Sequence, residues 1–305
     1  MKLPVLFTIF NRPDISVRAF ECIKHYQPER LYIAADGARA HRQGEQELCE
    51  RTRKAVMEQI DWPCTIQTLF RGKNIGCARA ISEAISWFFE HEEWGIICED
   101  DVVMSQDFFT LCEELLPRYK DNHDIIHITS QYYGKHREQS DTYTFGRKPF
   151  VWGWATWRRA WFDNMDMGMS AWPSYNPLRM LPVYGFFQTL IMCYYWHFTY
   201  KNINTNSSWA TRWHFAAVVN RRLCICPTTN LGLNIGCTGE GGTHYDANER
   251  DPHASMKMGH LNFPLRHPKR VKLSMRQVIT DNLEFMRLRA IGARKKIRKY
   301  IKRIK

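Results

Sequence analysis

Apolar runs and amphipathic stretches alternate along the first 130 positions. LPVLFTIF (3–10) is an unbroken apolar run that stops at NRPD, the pattern of a strand buried on both faces and followed by a turn. Pro13 suits the first turn of a helix that carries Val17, Phe20 and Ile23 on one side. RLYIAAD (30–36) predicts a second strand ending at Asp36–Gly37, residues 44–60 a helix, and CTIQTLF (64–70) a third strand before RGKNIGC. Cys77, Ala80, Ile81, Ala84, Ile85, Phe88 and Phe89 then recur at the three-and-four spacing of one buried helical face. WGIIC predicts a fourth strand. Phe108, Phe109, Cys112, Leu115, Leu116 and Tyr119 mark another helix, with Ser105 at its N-cap, and DIIHIT (124–129) a further strand.

Strands alternating with helices imply an α/β fold around a mainly parallel sheet. Ligands of such sheets bind outside the carboxyl ends of the strands. Asn11–Arg12, Asp36, Asn74 and Glu99–Asp101 all follow strand ends, so they are expected to converge on one crevice. The most telling stretch is GIICEDDVVM (95–104), in which three acids interrupt an apolar run. A carboxylate removed from water must be paired or must hold a metal. Neither GxGxxG after the first strand nor GxxxxGK[ST] occurs, which disfavours a dinucleotide fingerprint and a P-loop.

Composition adds little until charge is located. The chain has 305 residues, 44% hydrophobic and 13% aromatic, enough for a large folded core. Its net charge is +12, but residues 263–305 hold 15 Lys+Arg against 2 acids, which leaves −1 for residues 1–262. A neutral body argues against a specific nucleic-acid-binding domain. Ten cysteines without CxxC spacing disfavour a structural zinc. The start shows no signal-peptide pattern, so a reducing cytoplasm is expected. No 18-residue apolar run occurs. The nearest, VYGFFQTLIMCYYWHF (183–198), is interrupted by Gln188, Thr189 and His197 and is expected to be a buried helix.

Oxygen ligands suit Mg²⁺ or Mn²⁺, and Arg12 and Arg79 could add contacts to a phosphorylated ligand. The alternative is that the acids cap the next helix or pair with arginines. Taken together, PVLFTIFNRPD, AADG, NIG…AI, EDDVVMSQDFF and FVWGWATWRRAW resemble glycosyltransferases of the GT-A fold. The resemblance is to bacterial nucleotide-diphospho-sugar transferases, extends to the enzyme that adds N-acetylglucosamine to the N-glycan core, and spans about residues 3–250. It implies a Rossmann-like central sheet flanked by helices, with residues 1–130 as the nucleotide-sugar-binding half, 131–262 as the acceptor and catalytic half of the same domain, and 263–305 as a basic tail. By position, it implies that Phe10, Asn11 and Arg12 hold nucleobase and phosphate, that Asp36 reads the base, and that Asn74 and Arg79 lie near the diphosphate. It also implies that Glu99, Asp100 and Asp101 form the acidic motif, with Asp101 on the metal and Asp100 on ribose or sugar.

In the second half, Trp152, Gly153 and Trp154 form an aromatic loop that could face a sugar or belong to the core; the resemblance places this loop beside donor sugar and acceptor. The Gly-rich NLGLNIGCTGEGGTHYD (230–246) suggests a loop folding over substrate, and His244 matches the family's second metal ligand. Where inverting relatives carry the general-base aspartate, this chain has Ala210, which cannot take a proton; Glu240 is the substitute candidate. The segment 287–305 carries ten Lys+Arg and no acid, with Leu288, Ile291, Ile297, Ile301 and Ile304 near one stripe, the pattern of a helix lying on an anionic membrane surface. The expectation is a metal-dependent glycosyltransferase taking a UDP-sugar donor and a glycan acceptor, cytoplasmic and peripheral on the inner face of the membrane. Two rivals stand beside it: an impaired nucleotide-sugar or glycan binder, and a metal-dependent nuclease or phosphotransferase.

Overall fold

The computed structural model describes residues 2–134, 141–205, 208–236, 256–284 and 286–287. The strand patterns of the first half are realised as the buried strands β1 (Val5–Ile9), β2 (Arg30–Ala35) and β4 (Trp94–Glu99) and the largely exposed edge strand β3 (Thr65–Phe70). Between them run α1 (Pro13–Tyr26), α2 (Glu45–Met57) and α3 (Cys77–His91). A short β5 (Val102–Met104), α4 (Gln106–Arg118) and β6 (Ile125–Thr129) follow. The second half supplies β7 (Tyr143–Gly146), β8 (Trp154–Trp157), α5 (Arg158–Asn164), α6 (Leu181–Lys201), α7 (Trp209–Val219), β9 (Leu223–Pro227) and β10 (Gly232–Asn234).

Eight strands form one sheet in the order β3-β2-β1-β4-β8-β6-β9-β7. Neighbours from β3 to β4 are parallel, β8 runs antiparallel to both β4 and β6, β9 is parallel to β6, and β7 is antiparallel to β9. The sheet is therefore mainly parallel and flanked by helices, the α/β class and Rossmann-like arrangement expected from the sequence. One core spans both halves, from Val5 and Phe7 through Phe88 and Ile97 to Trp213 and Ile225.

Three local expectations are corrected. Cys77 lies exposed at the start of α3; the buried face begins one residue later, with Ala78, Ser82, Ala84, Ile85, Phe88 and Phe89. Ser105 takes the N-cap position of α4 with extended backbone, but its hydroxyl does not bond the helix. The 183–198 run does form the greater part of α6, yet it is not a buried helix: Phe186, Phe187, Leu190, Tyr194 and Phe198 face solvent. Its inner face covers a small separate cluster with Met180, Met192, Trp196 and Phe215. No helix among the described residues is long and apolar enough to cross a membrane.

His127, in the centre of β6, shows how tightly the second half is built. It is fully buried and stacks on Trp154 at 4.8 Å between centroids. Trp213 Nε1 can only donate, so His127 Nδ1 accepts from it at 3.2 Å, and the ring is the Nε2–H tautomer donating to Phe150 O at 2.8 Å. Burial holds its pKa down at about 3, against 6.5 for a free histidine. A depressed base takes up its proton in the unfolded chain first, so stability should be lost as pH falls below 6.5, by about 1.4 kcal/mol per pH unit from this one ring. Urea titrations at pH 7, 6 and 5 check this. A His127→Gln variant should lose this ring's share of the slope and keep that of buried His214, which is also held down at about 3.

Candidate functional site

The site forms where the carboxyl ends of β1, β2 and β4 meet. Three consecutive residues after β1 each hold a different neighbour. The Arg39 guanidinium lies over the Phe10 ring at 5.5 Å. Asn11 Nδ2 donates to Glu45 Oε1 at 2.9 Å. Arg12 Nη2 donates to Asp100 Oδ1 and, at 3.0 Å, to Asp101 Oδ2. Buried Glu45 also takes the Arg39 guanidinium and backbone amide, and hydrogen bonding from Arg39 draws its pKa down to about 2 against the cost of burial. Arg39 and Glu45 were not legible as site residues, because their partners are distant strand ends.

Asp36 organises the loop above α3. Its carboxylate accepts from the amides of Gly37, Ile75 and Gly76 and from Asn74 Nδ2, at 2.9–3.2 Å for the shortest bond of each. Asn74 also donates to Gly37 O at 2.8 Å. Asp36 and Asn74 thus meet, as expected for the crevice, and their bonds fix the NIG turn. Arg79 does not join them. Its guanidinium lies on the exposed flank of α3 and donates to Glu83 at 2.9 Å, an acid that also pairs with Arg71, so its expected place at a diphosphate is corrected to a surface ion pair.

At the tip of β4, Glu99, Asp100 and Asp101 crowd together. Burial, then the charges of Asp101 and Asp100, push the Glu99 carboxyl up to about 8, with Arg12 opposing. Burial and Asp101 likewise raise Asp100 despite Arg12. For Arg12, burial by itself would lower the pKa; the charges and bonds of the two aspartates reverse this and raise it. Arg12 is thus shared by two carboxylates, and Asp100 and Asp101 are hard oxygen donors of the kind that suits a divalent cation such as Mg²⁺ or Mn²⁺. Among the described residues no three metal-ligating side chains converge. His244 and Glu240 lie outside the described residues.

β10 closes the site from the second half. It pairs antiparallel with β5, and Asn234 Nδ2 then reaches Asp101 Oδ1 at 3.1 Å while Ile235 N bonds Asp101 O at 2.7 Å. Sequence reasoning expected a loop folding over here but could not see that two three-residue strands would anchor it. Gly236 sits so close that a Cβ would meet Asp101 Oδ2 at 2.5 Å and its Cβ at 2.8 Å. Gly236→Ala should therefore push Asp101 and β10 apart and cost about 1–3 kcal/mol of stability. Urea titration reads it; an unchanged midpoint would mean that the contact relaxes freely.

The aromatic loop resolves into two roles. Trp154 is fully buried and packs among Trp161, Trp209 and Trp213, so its expected place as a sugar platform is corrected to core. Trp152 is half-buried, its amide bonded to Gln131 Oε1 at 3.0 Å and its carbonyl to Ser130 Oγ at 2.6 Å. Ile97 pairs with Trp154 across β4 and β8, so the loop that precedes β8 lies at the carboxyl end of β4. Gly153 has φ 73° and would bring a Cβ within 2.6 Å of Met104, so glycine is required where this loop crosses the acids' strand. Beyond β6 lies an open cleft of about 540 Å³, whose lining includes Tyr132, Tyr133, Asn230 and Glu284. Ala210 sits in the first turn of α7, half-buried against the main core.

No protein-family profile matches the sequence, and no curated protein sequence matches it. Solved structures that share part of the fold include HddC from Yersinia pseudotuberculosis, at 10% identity and a TM-score of 0.31, covering 52% of this chain and 77% of that one. Another is the mannosyltransferase PcManGT from Pyrobaculum calidifontis in complex with GDP-Man and Mn²⁺, at 10% identity and a TM-score of 0.37, covering 72% and 74%. At that similarity they bear on neither substrate nor chemistry.

Proposed function

We propose that the chain is a metal-dependent glycosyltransferase that moves a hexosyl or N-acetylhexosaminyl group from a nucleotide-diphosphate donor, a UDP-sugar, to a glycan hydroxyl. The observation that carries this reading is the cluster of Glu99, Asp100 and Asp101 at a strand's carboxyl end, facing Arg12 and overlaid by Asn234. Phe10 with Asn11 would flank the base and Asp36 with Asn74 would shape its pocket. Asp100 and Glu99 would face ribose and sugar, and Arg12 would turn from the aspartates toward a phosphate. Asp101, with His244, would hold Mn²⁺ or Mg²⁺. When bound, that cation supplies Lewis-acid stabilisation of charge on the leaving diphosphate. The α3 N-terminus has no side-chain cap, so its amides can also favour an anion. Trp152 and Gly153 would border the transferred sugar, the cleft beside Tyr132 and Tyr133 would take the acceptor, and Glu240 would serve as base. The basic segment 287–305 would hold the protein on an anionic membrane surface, which suits a lipid-linked acceptor.

One observation favours a second reading. Ala210 occupies the position of the family's general base, so a chain that binds the donor without turning it over fits the same geometry. Titration with UDP with and without Mn²⁺, followed by UDP release from UDP-sugars, tests both. Metal-dependent binding with release supports the transferase, binding alone supports the binder, and absence of metal-dependent UDP binding overturns both.

A further inference from the structure

The outer surface of α6 is built the wrong way round for water. Its backbone breaks at Gly185 (φ 68°, ψ 174°), and the helix beyond turns Phe186, Phe187, Leu190, Tyr194 and Phe198 outward at 62%, 70%, 52%, 67% and 49% exposure. Gln188, Thr189 and Thr199 of the same helix point in: Gln188 is 2% exposed, and neither its side-chain oxygen nor its nitrogen finds a partner among the described residues. An apolar face of this extent marks a binding surface. It continues onto the helix at 275–284, where Met275, Ile279 and Leu283 are also exposed. Asn282 of that helix donates to Val183 O at 2.8 Å, which sets the second stripe beside the first.

We infer that this aromatic face of α6, with the adjoining stripe of the 275–284 helix, lies in the interface of an anionic phospholipid bilayer. Charge decides the occupant. Between Asp166 and Glu240 the sequence contains no acid, and Arg179, Lys201 and Arg221 are exposed around α6. The chain then runs from the 275–284 helix into the ten cations of 287–305. A second copy would set this cationic rim against itself in a two-fold contact, and the cationic tail folding back would meet the same repulsion. An anionic lipid surface meets attraction from the rim and accepts Phe, Leu and Tyr at headgroup depth. The Glu284 and Arg287 side of the same C-terminal helix lines the cleft beside Tyr132, so that cleft would open close to the lipid. The surface is separate from the acidic site, and the inference stands whether or not the chain transfers sugar. It also goes beyond the basic tail, because an apolar contact survives salt that screens cations.

The test is flotation of the full chain with vesicles of phosphatidylglycerol and phosphatidylethanolamine, and with phosphatidylcholine alone, at about 0.1 and 0.5 M salt. The triple variant Phe186→Ser, Phe187→Ser, Leu190→Ser should partition at least about tenfold less into anionic vesicles and should lose binding altogether at the higher salt. Its thermal melt should stay cooperative, and Phe187→Trp should bind as the parent does. Equal flotation of triple variant and parent at both salts would overturn the inference, even if removing 288–305 abolished binding and so supported the tail alone. A parent dimer in ultracentrifugation that the triple variant dissociates would assign the face to a second copy. That result would overturn a lipid contact.

Discussion

Asp101→Ala is expected to abolish Mn²⁺-dependent UDP binding, a loss greater than the roughly 10–100-fold that follows removal of an outer partner of a metal ligand. Asp101 is tied to Arg12 on one oxygen and to Asn234 on the other, so both halves of the chain aim it at the crevice. The substitution leaves Arg12 its bond to Asp100, and the fold should survive, with a melting temperature near that of the parent. A variant that melts normally but binds UDP and Mn²⁺ as tightly as before would end the assignment of this strand tip as the donor site. Asp101→Asn keeps the size but not the charge: its single amide oxygen can accept from Arg12 or from Asn234 but not from both, and it should behave as the alanine variant does.

The largest effect on stability is expected at Trp154. Removing a fully buried tryptophan that contacts His127, Trp161, Trp209 and Trp213 should cost about 3–5 kcal/mol, a large share of the roughly 5–15 kcal/mol that holds a domain folded. Trp152→Ala, two residues earlier, should leave the urea midpoint nearly unchanged and alter sugar transfer instead. If Trp152→Ala unfolded the protein and Trp154→Ala did not, the division of this loop into core and site would be reversed.

These paired tryptophans show where sequence reasoning stops. FVWGWATW places both within three positions, and composition cannot say which faces a ligand; that depends on β8 pairing with β4, a contact made over some sixty positions. The first half was legible because the central parallel strands β1, β2 and β4 are largely apolar runs and each helix has one periodic face, so the elements and the acid-tipped crevice followed from local pattern. The links that assemble the site are long-range: Asn234 reaches Asp101 through two strands of three residues each, Asn11 reaches Glu45, and Arg39 covers Phe10. Arg79 misled because a cation after NIG is equally suited to Glu83 one turn along the same helix. The 183–198 run misled for a different reason. Hydrophobic content indicates contact with something other than water, and α6 meets that condition on one side with protein and leaves the other side open.

Strand β8 runs against its neighbours on both sides, and that reversal has an engineering consequence. A parallel strand would enter the sheet at the far edge and bring its leading loop there. Because β8 is inverted, the connection from β6, ending at Trp152 and Gly153, arrives at the same rim as Glu99. The loop at Trp152 and Gly153 can therefore be varied to reshape the surroundings of Glu99 from the second half of the chain, while β4 itself is left as it is.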